Sequence, residues 1–443
     1  MMQTIPMQAQ DPWLMTYLNK INPAFTESQL KNASRICQGL ASSHPHKSIV
    51  SMTNSFIDAP DQSTVNRFLT ESEWHMEPHE IDLKKIGLMQ QHRQTGFKDG
   101  GLLIIDDTLL HKTGSSMELV SDHFDHVSFQ MKKGTSLVTA HYADDTKDYN
   151  LLNEVYLRKK DIKESKRPLQ FKSKVDIASN FIETLADTFP GVQTKNLKVL
   201  FDSWFLASAV VGTVEKYGLK YVSRAKSNRL ITELDMNLQE YGADILRETD
   251  FKEVTVQTHG RRCTSYIYTA ILPISNLGDV KVSFVKNCRE GEIQAFVVSN
   301  DLQISGSKLL QLYKDRWSIE TNYKNCKQYL GLDDFHIRKA LGIKRYLSLC
   351  FLMSAYLERC KLLGIFGHCF GSDIELATKG AQIRAYRHIL FERFLTWTDE
   401  QLARGNTLKE LLIHFRDEQC SCRSSALQFV TQGVRSALKK GKV

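Results

Sequence analysis

No CxxC pair occurs anywhere in the chain, and its nine cysteines are an odd number. The nearest two, Cys420 and Cys422, stand too close for ordinary zinc-ligand spacing. A disulfide framework is therefore not expected, and the thiols read as core residues of a reducing compartment. The opening residues, MMQTIPMQAQDPW, hold neither a basic start nor an apolar stretch, so no secretory leader is expected. No uncharged run approaches the roughly 18 residues that a membrane span requires. There is no Walker A sequence, hence no NTP cradle. Neither an internal repeat nor a low-complexity tract is present. These absences leave a soluble, intracellular, globular protein as the expectation.

What is present is ordinary in bulk. Of 443 residues, 42% are hydrophobic and 24% charged, which excludes wholesale disorder and collagen-like repeats. The length suits two to four domains. The net charge of +8 is unevenly placed: from Arg338 onward 18 Lys+Arg stand against 9 Asp+Glu, so the preceding part is near neutral. A basic tail on a neutral body suggests a polyanion contact. The same surplus also suits a solvated helical surface.

Residues 1–98 read as helical. Leu30, Ala33, Ile36, Cys37 and Leu40 follow helical spacing, closed by His44-Pro45. Asp61-Gln62-Ser63-Thr64 reads as an N-cap region before Val65, Phe68 and Leu69. These helices suit a DNA-binding module or a plain support. The texture changes at Gly100-Gly101. Leu102-Leu103-Ile104-Ile105 reads as a buried strand that ends in Asp106-Asp107-Thr108. Further strands are predicted at Val127-Ser128-Phe129 and from Thr135 to Ala140, and a helix from Lys174 to Phe189 stopped by Pro190-Gly191. Lys198-Val199-Leu200-Phe201 is a second buried-strand run, ending in Asp202, with a helix from Phe205 to Tyr217 and a strand from Leu219 to Arg224 after it. From about 230 to 304 the period changes to two, with turns at His259-Gly260, Asn276-Leu277-Gly278 and Glu290-Gly291. The rest reads as helix.

Two strands ending in aspartate suggest a site, because ligands of α/β sheets bind at the carboxyl ends of strands. An aspartate there is also a common turn residue. The segment 313–327 is sharper. On a single helix, rotation of 100° per residue brings Arg316, Glu320 and Lys327 within about 60° of Tyr313. One face then carries a phenol, a guanidinium, a carboxylate and an ammonium. From spacing alone, intrahelical ion pairs are the plainer explanation.

Tyr313, Arg316, Glu320 and Lys327 match Y-x2-R-x3-E-x6-K. The match resembles the YREK box of bacterial insertion-sequence DDE transposases. The flanking Arg316-Trp317-Ser-Ile-Glu320 and Leu330-Gly331-Leu332 are similar to that family too. Ile105-Asp106-Asp107-Thr108 resembles its first-aspartate motif and Val199-Leu200-Phe201-Asp202 its second. The resemblance covers residues 60 to 335.

The resemblance implies an α/β fold with an RNase H-like, retroviral-integrase-like catalytic core. Its β-rich insertion lies between the second and third acids, and helical regions flank it. The corresponding segments would be a helical DNA-binding and assembly region (1–98), the first part of the core (99–229), the insertion (230–304), the box helix (305–338) and a basic helical C-terminal region (339–443). It implies DNA cleavage and strand transfer at terminal inverted repeats, with target DNA as second substrate. Asp106, Asp202 and Glu320 would hold two Mg²⁺ ions, for which Mn²⁺ can substitute; hard oxygen ligands suit such ions. Asp107 is the alternative to Asp106, which is favoured because the family shows D-x-T. Tyr313, Arg316, Lys324 and Lys327 would contact DNA, Arg316 by a bidentate grip on phosphate. Trp204 and Trp317 are candidates for stacking on a displaced base. Arg224 and Lys226, in a basic segment with Lys220 and Arg229, would line the DNA channel or merely protect an edge strand. A homodimer acting on DNA in the bacterial cytoplasm, with no membrane partner, is implied. A DNA-binding relative without catalysis and a nuclease that only hydrolyses are the other readings. A sugar-phosphatase reading fails for want of D-x-D. His44, His46, His75 and the pair His123/His126 bring no complete ligand set.

Overall fold

The computed structural model describes residues 8–42, 47–114, 116–125, 129–164, 170–258, 260–367 and 376–411. The His44-Pro45 turn, His46, His126, the Val127-Ser128 strand candidate, His259 and the Cys420–Cys422 pair lie outside them.

Four helices come first: α1 (Pro12–Ile21), α2 (Glu27–Ala41), α3 (Ile49–Thr53) and α4 (Gln62–Thr70), with α5 (Pro78–Gln90) leading to the sheet. Strands β1 (Leu102–His111), β2 (Ser121–Asp125), β3 (Gln130–Ala143) and β4 (Asp148–Tyr156) follow. Helices α6 (Lys159–Glu164), α7 (Lys174–Thr188) and α8 (Gly191–Thr194) precede β5 (Lys198–Phe201), α9 (Ser208–Lys216) and β6 (Lys220–Ala225). Next come β7 (Leu230–Ile231), β8 (Met236–Asn237), α10 (Leu238–Asp244), β9 (Lys252–Thr258), β10 (Arg261–Ile274), β11 (Gly278–Lys286) and β12 (Ile293–Ser299). The last helices are α11 (Gly306–Asp315), α12 (Ser318–Leu330), α13 (Ala340–Leu362) and α14 (Lys379–Ala403).

The chain forms two compact units. One joins the residues up to Glu77 with those from Tyr329 onward; the other is Pro78–Gln328. Among its described residues the first is helical. Its helices begin where their sequences supply caps: Thr26 and Gln29 form a capping box on α2, and the Asp61 carboxylate accepts from Ser63 N–H at the start of α4. The buried Asp11 carboxylate caps α1 and takes a hydrogen bond from Tyr386 and an ion pair from Arg393, both on α14.

The second unit is built on one sheet. Its core runs β4-β3-β1-β5-β6; β1, β5 and β6 are parallel, while β3 is antiparallel to both β1 and β4. This is the RNase H-like α/β arrangement. The β-rich segment extends the same sheet, because β12 pairs with β6 and leads through β11 and β10 to β7 and β8. Leu102–Ile105 and Val199–Phe201 are buried on both faces, which is why central parallel strands write continuous apolar runs. The core on one face gathers Leu102, Ile104, Leu200 and Val222 beneath Leu309, Leu312, Ile319 and Tyr323 of α11 and α12.

Three expectations are corrected. β1 does not end at its acids: it continues to His111, carried along by the long antiparallel β3. That pairing needs Gly134, where a Cβ would come within 2.5 Å of the Leu110 carbonyl. Phe129 lies in a turn rather than a strand. The helix expected from Phe205 begins only at Ser208, because Trp204 and Phe205 give their N–H groups to the Asp202 side chain.

Candidate active site

Alternation along β1 sends Asp106 and Asp107 to opposite faces of the sheet. β5 pairs with β1 only as far as Phe201 opposite Ile105. Asp106 is thus the first β1 residue beyond its parallel neighbour, and Asp202 is the first residue after β5. Both acids sit where two adjacent parallel strands stop pairing, the place at which α/β sheets open to ligands.

Segment 313–327 is not one helix. α11 ends at Asp315 and α12 starts at Ser318. Between them Trp317 N–H bonds to the Lys314 carbonyl and Ile319 N–H to that of Arg316, a tightening to three-residue turns. The expected single face shared by Tyr313, Arg316, Glu320 and Lys327 is therefore broken at Arg316-Trp317. The tertiary fold nevertheless gathers part of the set. Arg316 donates through Nη1 to Asp106 Oδ2 at 2.6 Å and through Nη2 to Glu320 Oε1 at 2.7 Å. One guanidinium spans the first and third acids. Tyr313 on α11 lies with its ring 5.8 Å from that guanidinium.

Two further bonds tie α12 to β1. Tyr323 Oη donates to the Asp106 carbonyl at 3.0 Å and meets Thr139 Oγ1 at 2.6 Å. Lys327 Nζ donates to Thr108 Oγ1 at 2.9 Å and to the Leu109 carbonyl at 3.1 Å. Sequence reasoning missed Tyr323 and Thr139 altogether.

Burial pushes the Asp106 carboxyl up to about 7 against the pull of Arg316, with the negative charges of Asp202 and Asp107 adding to the rise. Burial also raises Asp202, opposed by the N–H groups of Trp204 and Phe205. Their bonds to Asp202 Oδ1, at 2.9 and 3.3 Å, fix that side chain. Arg316 stays charged, since Asp106, Tyr313 and Glu320 outweigh its own burial.

Asp107 is engaged elsewhere: Lys174, the first residue of α7, pairs with it at 2.6 Å on the opposite face. Near Lys174 lies His123, whose Nε2 bonds Ser121 Oγ at 2.9 Å. Burial, Lys174 and Arg158 push its imidazole down to about 4. Arg224 is exposed on β6 and Lys226 just past its end, and β6 pairs on both sides, with β5 and β12, so the edge strand expected there is an inner one. Arg224 also donates to the Gln294 carbonyl at 2.8 Å. Lys226 lies 5.7 Å from the Trp204 ring, and Trp204 is 55% exposed beside Asp202. Trp317 is 47% exposed beside Arg316, and Lys324 is exposed on α12.

Among the described residues, no three His, Cys, Asp or Glu side chains converge as a ready metal site. The donors nonetheless suit a hard divalent cation. They are carboxylate oxygens, partly desolvated and mutually repelling, and the space between Asp106 and Glu320 already accommodates a positive group. Among the same residues, no helix is long and apolar enough to cross a membrane.

Two family models match the chain. The DDE superfamily endonuclease model matches residues 20–242, half of the chain, and spans Asp106 and Asp202. The transposase DDE domain model matches residues 175–356 and spans Asp202 and Glu320. No individual curated protein matches.

Proposed function

The chain belongs to the DDE superfamily of endonucleases, a transposase-type enzyme acting on DNA, and from that premise we propose how it works. It binds the terminal inverted repeats of its own element, cleaves strands there and joins them to target DNA. Asp106, Asp202 and Glu320 are the catalytic acids and hold two Mg²⁺ ions, or Mn²⁺ in their place. When bound, these ions supply Lewis-acid activation of the attacking oxygen and neutralise charge on the leaving one. The observation that carries the reading is the single guanidinium that spans Asp106 and Glu320, with Asp202 at the end of the adjoining parallel strand.

Each of this chain's groups has a task. Asp202, fixed by two backbone N–H groups, keeps one carboxylate orientation. The position of Asp106 beyond the last β5 pairing supports it as the first acid, and the ion pair of Asp107 with Lys174 argues against the alternative. Arg316 neutralises the acids before DNA arrives and presents its guanidinium to a phosphate afterwards. The Tyr313 phenol and Lys324 add phosphate contacts, and Lys327, whose ammonium is held by Thr108 and the Leu109 carbonyl, adds its charge to them. Arg224 and Lys226 extend a basic edge past the second acid. Trp204 and Trp317, exposed beside Asp202 and Arg316, offer flat faces for a displaced base. The active form is a homodimer that holds two element ends, in the bacterial cytoplasm.

The test is cleavage and joining of a labelled duplex carrying the element's flanking repeats. Mg²⁺ is compared with EDTA, and the wild type with Asp202→Asn. Metal-dependent joined product, absent in the variant, is expected. Cut product without joining would leave a hydrolytic nuclease, and binding without metal-dependent chemistry a DNA-binding relative.

A further inference from the structure

We propose that Tyr323 and Thr139 are positioning residues that set the separation of the first and third acids. The idea rests on the reading that Asp106 and Glu320 share a divalent cation. Thr139 is the antiparallel partner of Asp106 in the β1–β3 register. Tyr323 stands three residues after Glu320 on α12, nearly one turn on, and is 6% exposed. Its oxygen is within hydrogen-bond distance of both Thr139 Oγ1 and the Asp106 carbonyl. A carbonyl only accepts, so the phenol proton goes to Asp106. Thr139 must then donate to the phenol oxygen. Burial holds the phenol far above its ordinary pKa, so it remains a neutral donor.

The place of this chain of bonds matters. β5 has left β1 after Ile105, so from Asp106 onward β1 lacks its parallel neighbour. The first acid would otherwise ride on a strand held from one side only. Tyr323 replaces the lost neighbour with a bond from the helix that carries the third acid. Lys327 repeats the tie farther along, to Thr108 and Leu109. Backbone of the first acid and helix of the third are thereby joined without using either carboxylate. Neither carboxylate is spent on this tie, so a cation that displaces Arg316 can reach both. Phenylalanine at 323 would fill the same space and lose only the hydroxyl, with its bond to Asp106 and the one it accepts from Thr139.

The experiment compares full-length wild type, Tyr323→Phe, Thr139→Val and Thr139→Ser. Mn²⁺ affinity is measured by calorimetry and melting is followed in EDTA. Tyr323→Phe and Thr139→Val are expected to weaken Mn²⁺ binding by about tenfold, the usual loss when a group that orients a metal ligand is removed. Thr139→Ser keeps the donor and should bind as wild type. A merely structural role would lower the melting temperature and leave the affinity of the folded protein unchanged; that result overturns the proposal. If Tyr323→Phe does not fold, the Val and Ser variants at 139 decide, since equal affinities there overturn it as well. Glu320→Gln separates the underlying reading: if it binds Mn²⁺ like wild type, the shared-cation site itself fails.

Discussion

Removing the Arg316 side chain should destabilise the metal-free protein more than any other single change on the open face of the site. The guanidinium gives one charged hydrogen bond to Asp106 at 2.6 Å and one to Glu320 at 2.7 Å. The Asp106 side chain is 14% exposed and that of Arg316 12%, so their pair is largely desolvated. Breaking such a pair from one side costs about 3–5 kcal/mol, because the remaining charge is stranded. Glu320 is 32% exposed, and its share is at most about 1 kcal/mol. Protonation of Asp106 relieves part of the first cost near neutral pH, which leaves about 3 kcal/mol for Arg316→Ala at pH 8. For a unit of this size that is a fall of roughly 6–12 °C in melting temperature. The assay is calorimetric melting in EDTA and again in excess Mn²⁺. A cation binding between the acids should raise the variant by about 2.7 kcal/mol when present at a hundred times the variant's dissociation constant, and the wild type, whose Arg316 must first be displaced, by less. Arg316→Lys should fall between, since an ammonium cannot bridge two carboxylates with a planar fork. A variant that melts within 2 °C of wild type in EDTA, by this estimate of about 3 kcal/mol, would refute the bridging role.

Two other outcomes follow from neighbouring groups. Asp106→Asn should abolish cleavage, whereas Asp107→Asn should keep it and lose about 1 kcal/mol of stability with the Lys174 pair; equal loss of cleavage in both would reverse the assignment of the first acid. His123, with an ordinary value of 6.5, is held down to about 4 by burial, Lys174 and Arg158. Between those values the unfolded chain binds a proton that the folded chain refuses, so this contribution to stability is present above pH 6.5 and is lost as pH falls toward 4. Urea midpoints of wild type and His123→Gln at pH 7.5 and pH 5 should therefore converge at the lower pH, and a constant gap would show that His123 does not titrate as described.

How much of this was legible depends on the range of the interactions involved. The acid-bearing strands could be read because burial on both faces writes continuous apolar runs, Leu102–Ile105 and Val199–Phe201. The cap at Asp61 is a local hydrogen bond and was read as one, whereas those at Thr26 and Ser173, equally local, were not. The Arg316–Glu320 pair, four residues apart, was equally visible as a helical spacing. The other arm of that guanidinium was not, because Asp106 is 210 residues away and such pairing leaves no periodic trace. The continuation of β1 beyond its acids is imposed by β3, not by the residues Asp106–His111 themselves. The break at Arg316-Trp317 was hidden because its backbone stays close to helical and no proline or glycine marks it.

Tyr323 shows why the site as a whole could not be derived from its motif. A tyrosine on an amphipathic helix reads as core, and this one is core. It becomes a donor to the first acid's backbone only because the register places Thr139 opposite Asp106 and because β5 has already departed. Neither condition is local to α12. The relation of Glu320 to Asp106 is thus fixed by bonds from Tyr323 and Lys327 to a distant strand. Helical spacing within the box supplies only the Arg316–Glu320 contact. A substitution that kept every acidic residue and the full box, yet shifted the β1–β3 register by one residue, would turn Asp106 to the Lys174 face and Asp107 to the Arg316 face. The motif would survive intact, yet the first acid of the site would be Asp107 and no longer Asp106.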